Sequence, residues 1–313
     1  MIDKYTPTGI ASAGWQRLQL GGFEITVISD GPMPMLPNSG FDAAPEAEIS
    51  GLLEDAFLPT DQLMLGMNCL LVNTGTQLVL IDTGMGDSLE ESHMFGPSTS
   101  HMLENLAAAG VDPADIDMVL LTHAHPDHCW ALTDRDGKPN FPNATVALSA
   151  ADLAYWTDEA NLASDNPFIA LTTRGAIKNL GAYRDRMIAV TDGQEVCPGI
   201  TAIASPGHSI GHTCYRVTSE GQSLIHLGDL AHHHVLALAH PDWPISYDTD
   251  PALAVASRLK ILAMIAAERT QVLGYHFPWP GIGNIRAKGD AYEWAPTNIP
   301  SRFDMMKLAA GTR

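Results

Sequence analysis

Short apolar runs that stop at an aspartate or a histidine recur along this chain. Leu78-Val79-Leu80-Ile81 closes on Asp82, and Met118-Val119-Leu120-Leu121 runs into Thr122-His123. The alternating Ile200-Thr201-Ala202-Ile203-Ala204 leads to Pro206-Gly207-His208, Ser223–Gly228 ends on Asp229, and Gln271–Tyr275 ends on His276. Brief apolar stretches bounded by turn residues predict strands. Strand ends that carry acids and imidazoles can be gathered at a single edge of a sheet sandwich, where loops place function. Phe23–Ile28 predicts a further strand. Asp250 followed by Pro251 has the form of a cap and first turn, and predicts a helix over Ala252–Arg269. Two more helices are expected over 99–109, stopping at Gly110, and over Ala150–Glu159.

Two of the runs echo one another. Gly75-x-x-Leu78-Val79-Leu80-Ile81-Asp82 and Gly221-x-x-Leu224-Ile225-His226-Leu227-Gly228-Asp229 each place a glycine, a hydrophobic strand and a terminal aspartate in order. The echo fits one α/β domain made of two similar half-sandwiches with helices outside. No linker, charge block or low-complexity stretch divides the 313 residues, so 1–313 is expected to be a single domain. Residues 1–65, with Pro32, Pro34, Pro37 and Pro45 in quick succession, are expected to be a loop-rich N-terminal extension that could form a lid or a subunit contact.

The chemistry concentrates in Thr122-His123-Ala124-His125-Pro126-Asp127-His128. Four metal-binding side chains on one short loop cannot all converge on one tetrahedral ion at ~2.0–2.2 Å. His123 and His125, two apart, can face one ion if the chain is extended. Asp127 and His128, beyond the proline turn, can face a second. Imidazoles and carboxylates without thiolates suit a catalytic site with room for water. His208, Asp229, His276 and Asp82, each at a strand end, are the remaining candidates. His212 reads as a packing or supporting residue, and His93, His101, His226 and His240 as ordinary hydrogen-bonding residues. His232, His233 and His234 are consecutive, so their side chains cannot share one face; His232, three after Asp229, is the one expected to touch substrate.

These residues, in this order, resemble the motifs of the metallo-β-lactamase-fold hydrolase superfamily. The resemblance implies a four-layer αβ/βα sandwich with two metals at one edge. It gives His123, His125 and His208 to the first ion, Asp127, His128 and His276 to the second, and Asp229 to both, with Asp82 supporting the loop from behind. Within the superfamily, Leu227-Gly228-Asp229, His240-Pro241, Asp248-x-Asp250-Pro251-Ala252 and His276-Phe277-Pro278-x-Pro280-Gly281-Ile282-Gly283 resemble the methyl parathion hydrolase branch. Phe95, Trp156 and Phe168 match positions that line that branch's leaving-group pocket, and Met64, Leu65 and Met67 are expected at a flexible rim. By analogy to the family a homodimer is expected. Quorum-quenching lactonases are the alternative, although their usual tyrosine three positions after the bridging aspartate is His232 here. A β-lactamase-like amidase is less favoured, since zinc β-lactamases generally lack the bridging aspartate.

Composition narrows the substrate. Seventeen Lys and Arg stand against 36 Asp and Glu, a formal charge of −19. Phosphate-backbone binding relies on basic side chains, so no nucleic acid is expected, and an anionic substrate would work against the overall field. The expected substrates are small neutral esters, lactones or phosphotriesters. Two divalent ions, zinc by preference, with manganese, iron or cobalt also compatible with these donors, would activate a shared water and polarise the C=O or P=O bond. Asp127 and Asp229 are the expected catalytic residues, with Asp127 or a metal-bound water passing a proton to the leaving group. Cys69, Cys129, Cys197 and Cys214 lie far apart without metal-binding spacing and are expected to be reduced and buried. Met1-Ile2-Asp3-Lys4-Tyr5 lacks the apolar core of a leader, and no run approaches a membrane span. A cytoplasmic location is therefore expected, with removal of an earlier export signal left open.

Overall fold

The computed structural model describes residues 13–299. Strands β1 (Trp15–Leu20) and β2 (Phe23–Ser29) form a hairpin, and β3 (Met33–Met35) pairs separately with β4 (Leu63–Leu65). Strands β5 (Asn68–Asn73), β6 (Leu78–Ile81), β7 (Met118–Leu120), β8 (Thr145–Ser149) and β9 (Met187–Val190) complete a seven-stranded sheet in the order β1-β2-β5-β6-β7-β8-β9. A second seven-stranded sheet holds β10 (Glu195–Cys197), β11 (Ile200–Ala204), β12 (Thr213–Ser219), β13 (Gln222–His226), β14 (Gln271–Leu273), β15 (Ile282–Lys288) and β16 (Ala291–Pro296) in sequence order. The helices are α1 (Pro37–Gly40), α2 (Glu46–Asp55), α3 (Met102–Ala108), α4 (Pro126–Cys129), α5 (Ala150–Trp156), α6 (Pro167–Gly181), α7 (Leu236–Ala239) and α8 (Pro251–Glu268).

Side-chain alternation along the strands builds the four layers. Val79 and Ile81 of β6 and Leu70 and Val72 of β5 face inward, against Tyr215, Val217 and Leu224 of the second sheet. The intervening Leu71 and Leu80 face outward, under Met102, Leu106, Ala176 and Leu180 from α3 and α6. On the other side, Ile225 and Val272 meet Ile261, Leu262 and Ile265 of α8 and Leu236 of α7. The fold is therefore the expected αβ/βα sandwich. Within it β6 and β13 occupy equivalent central places: each has an antiparallel neighbour before it and a parallel one after it. The sequence echo between them marks this correspondence. Among the described residues, no helix is long and apolar enough to cross a membrane.

Several element boundaries depart from expectation, each for a local reason. Helix α3 begins at Met102, because Ser100 takes a φ of 71° and the distant Asp30 carboxylate accepts from Met102 N at 2.9 Å. Helix α5 stops at Trp156 and gives way to a 3-10 turn over Glu159–Ala163. The Asp250 side chain caps α8 through Leu253 N as expected, and the helix ends at Glu268 because Arg269 turns left-handed at φ 57°. Helix α6 is a correction outright, since no helix was expected there. Its buried face is Thr172, Thr173, Gly175, Ala176, Asn179 and Leu180, too polar for an apolar stripe to show. Residues 13–65 are less loop-like than the proline run suggests. They supply two strands of the first sheet and α2, whose Ile49 and Leu53 are buried four residues apart. The expectation made for Met1–Tyr5 lies outside the described residues.

Candidate metal centre

Parallel pairing sets the site. Strand β7 runs parallel to β6 and β14 parallel to β13, while β11 is two antiparallel steps from β13 and so shares its direction. The ends of these strands carry two groups of buried donors, His123, His125, His208 and Asp229 in one and Asp127, His128, Asp229 and His276 in the other. In each group the ligand atoms lie within 4.8 Å of one another. The two oxygens of Asp229 divide between the groups. Oδ1 is 3.1 Å from His128 Nε2 and 3.2 Å from His276 Nε2; Oδ2 is 3.2 Å from His208 Nε2 and 3.7 Å from His123 Nε2. Asp127 and His128 reach the second group because Pro126 opens the one-turn helix α4 directly after His125.

Four of the imidazoles have Nδ1 occupied from behind, which leaves Nε2 facing the centre. Asp82 accepts from His128 Nδ1 at 2.8 Å and also from the Thr122 amide at 2.8 Å and its hydroxyl. That hydroxyl in turn faces His123 Nδ1 at 3.0 Å. Asp248 accepts from His208 Nδ1 at 3.0 Å, and the Gly66 carbonyl accepts from His276 Nδ1 at 2.8 Å. Such outer partners fix the tautomer and ring orientation of a metal ligand. His125 differs: its Nδ1 points at His208 Nε2, 3.0 Å away. His212 stands behind the bridge, with Nδ1 on the Ser205 hydroxyl at 2.7 Å and Nε2 accepting from the Asp229 amide at 2.9 Å.

The donor set fits divalent cations. His123 Nε2, His128 Nε2 and Asp229 Oδ1 are buried without a hydrogen bond of proper geometry, although their neighbours are close. Buried polar atoms that converge without pairing are costly unless something charged lies between them. Burial holds His123 and His125 well below the ordinary imidazole range, in the neutral form that binds a metal. Burial likewise, reinforced by His208, pushes His212 down to about 3, so its Nε2 is free to accept. Burial opposes a charge on His208 too, but hydrogen bonds to Asp229 and Asp248 outweigh it and raise that imidazole to about 9. The carboxylates make this a centre that draws positive charge.

Above the donors lies a cavity of about 450 Å³. Its walls include Met33 and Met35 of the two-stranded β3–β4 sheet, Leu65, Phe95, Phe168 and Leu171, with His125, Asp127, His208, Asp229, His232 and His276 at its floor. Phe95, Phe168 and His232 line this cavity. Trp156 does not: it is fully buried and stands behind His125, with ring centroids 5.1 Å apart, because α5 packs beneath the ligand loop. Met67, expected at the rim, is also fully buried, whereas Met64 is half exposed. His232 stacks on His276 at 5.2 Å and brings Nε2 to 3.2 Å from Asp229 Oδ2. The four cysteines are free and buried.

Three buried acids went unassigned in the sequence. Asp248 orients His208, Asp152 binds both loops of the first group, and Asp30 pins the loop after Asp82. In the sequence, Asp248-x-Asp250-Pro251 stands out only as a motif. A side-chain acceptor for His208 Nδ1 was the missing requirement that could have singled it out.

Comparison with known proteins agrees with this geometry. The family model of the metallo-beta-lactamase superfamily matches residues 65–270. AidC, a dizinc quorum-quenching lactonase solved with a product N-hexanoyl homoserine, superposes with a TM-score of 0.85 at 29% identity, over 92% of this chain and 99% of that one. The hydrolase AbOPH of the beta-lactamase superfamily superposes at 0.84 with 31% identity, over 93% and 99%. A ribonuclease of Thermus thermophilus is 30% identical over 181 residues, 56% of this chain and 37% of that protein. The chain thus spans about two-fifths of the length of the first curated relatives it matches.

Proposed function

This chain belongs to the metallo-beta-lactamase superfamily, and from that premise we propose that it is a metal-dependent hydrolase with a dinuclear centre that cleaves neutral lactones and carboxylic esters bearing an apolar arm. Neutral phosphotriesters form a second class, proposed together with a methyl parathion hydrolase-like place in the superfamily. In this proposal His123, His125 and His208 would hold one divalent ion, zinc by preference, Asp127, His128 and His276 would hold the other, and Asp229 would contribute to both. The observation that carries the substrate class is the cavity. Its walls are chiefly methionine, leucine, proline and phenylalanine, with Ser39 and Tyr247, and among the described residues no Lys or Arg lines it.

Two divalent ions at these donors would lower the pKa of a water to ~7 and polarise the scissile C=O or P=O bond. The chain's own groups do the rest. Asp127 turns toward the cavity, its side chain 11% exposed against 3% for Asp229, so it can carry a proton to the leaving group. Asp229 is held ionised well below the usual carboxylate range, the imidazoles of His276 and His128 outweighing its burial. His232 lies at the cavity floor with Nε2 3.2 Å from Asp229 Oδ2, while its Nδ1 is buried without a hydrogen-bond partner among the described residues. Phe168 packs against His125 and Tyr247, at 5.3 and 5.4 Å, and closes one wall against water. AidC, named as a lactonase, supports the lactone class. The ribonuclease relative argues the other way, but a chain of net charge −19 offers RNA little attraction.

A substrate panel tests the proposal: a γ-lactone with an acyl arm, an aryl carboxylic ester, a neutral aryl phosphotriester, a cephalosporin and single-stranded RNA. The expected kcat/KM for lactone or ester is at least about tenfold above that for the cephalosporin, with measurable phosphotriester turnover and no RNA cleavage. Faster turnover of the cephalosporin or RNA than of every neutral ester would sink the proposal.

A further inference from the structure

Helix α5 contributes no ligand, yet it touches both loops that carry the first donor group. Asp152 and Trp156 are four residues apart and share its inner face. The Asp152 carboxylate is fully buried. Its Oδ2 accepts from Ala124 N at 2.8 Å, and its Oδ1 accepts from Gly211 N at 3.0 Å and from the Ser209 hydroxyl. The Trp156 indole donates to Ser209 Oγ at 2.8 Å, and its ring packs on His125. Ala124 lies between His123 and His125. Ser209 and Gly211 follow His208. One carboxylate therefore ties together two loops 83 residues apart at their ligands, where His125 Nδ1 and His208 Nε2 stand 3.0 Å from each other. The second loop is pressed close: a Cβ at Gly211 would lie 2.6 Å from Asp152 N and 1.9 Å from Ser149 Oγ.

We infer that Asp152 is a positioning residue for the first ion, fixing the separation of His125 from His208 by binding both loops with one carboxylate. The second donor group is held by other means. His128 is oriented by Asp82, and His276 by the Gly66 carbonyl. Loss of Asp152 should therefore act unequally on the two ions. Asp152→Asn keeps the size of the side chain but presents an amide N–H₂ to one of its two sets of donors. Donor then faces donor, and one loop must withdraw. The inference rests on the ligand assignment proposed above and not on the substrate class.

The test is stepwise cobalt(II) titration of the metal-free full-length protein, read by visible absorption and by chelator competition. The His276→Ala variant identifies which binding step belongs to the second group. Outer-shell partners typically change metal affinity by about 10- to 100-fold. Asp152→Asn is expected to weaken the first ion by that factor while leaving the second within about threefold. Equal weakening of both ions, or none, overturns the inference. Ser209→Ala, which removes one donor to Asp152 and the link to Trp156, should weaken the first ion alone by about fivefold. If Asp152→Asn does not fold by circular dichroism, this second variant decides, and unchanged first-ion affinity overturns the inference. A wild-type protein that binds a single ion would instead overturn the dinuclear assignment and the inference with it.

Discussion

At the scale of single residues, the centre depends on acids whose partners are far away in sequence. The proposed ligands were legible, because three histidines and an aspartate in Thr122–His128 have no ordinary explanation. Asp152 and Asp30 were not. Asp152, three residues after Ser149, resembles a helix-start acid, and Asp30 before Gly31 resembles a turn acid. Their real partners lie 28 to 72 residues away. Asp30 accepts from the amides of Met85, Ser100 and Met102 in the interior. Burial raises its carboxyl from the ordinary 3.8 to about 6 despite those bonds. A raised carboxyl favours the folded state below about pH 3.8, and that contribution is lost as pH rises through about 6. The full difference is roughly 3 kcal/mol. Urea denaturation of the metal-free wild type and Asp30→Asn should therefore show their stability gap narrowing, by up to roughly that amount, between pH 4 and pH 7. A gap independent of pH would contradict it.

At the scale of elements, strands were more legible than helices. The strands β6 and β11 match their expected bounds, and β7 nearly so, because continuous or alternating apolar runs leave a plain mark. Helix α6 left none. Thr172, Thr173, Gly175 and Asn179 pack where leucines would be looked for. Gly175 admits the Trp130 indole so closely that a Cβ would lie 2.1 Å from Nε1. What the pattern did offer was Asn166-Pro167, since Asn166 caps the helix through Phe168 N. The turn between β11 and His208 was legible in residue type but not in its tertiary role. Gly207 has a φ of 132°, and a Cβ there would meet Ala254 N of α8 at 2.1 Å. Gly207→Ala should destabilise the protein by about 3 kcal/mol, through backbone strain and displacement of the helix start. Chemical denaturation checks this, and a change below about 0.5 kcal/mol would show that the turn yields freely.

At the scale of the whole molecule, two sheets with equivalent central strands bring their carboxyl ends to one edge, and the chemistry sits where ligands of α/β sheets usually bind. That arrangement was visible as the echo between residues 75–82 and 221–229, whose strands prove to be the fourth of seven in each sheet. The cavity walls were much less visible. They draw on the two-stranded β3–β4 sheet, a 3-10 turn and the first turn of α6, and no local pattern announces which apolar side chain meets a cavity rather than a core. Trp156 shows the consequence: an aromatic expected at the wall lies behind it. The proposal of neutral substrates rests on the formal charge of −19 and on a cavity that no described Lys or Arg lines.

The central claim is that two ions sharing Asp229 carry out the hydrolysis. Metal-free protein can be reconstituted with increasing zinc while turnover of a neutral ester or lactone is followed. The account predicts activity that rises from the metal-free baseline and levels off at two equivalents per chain. Full activity at one equivalent, or turnover without metal, would contradict it.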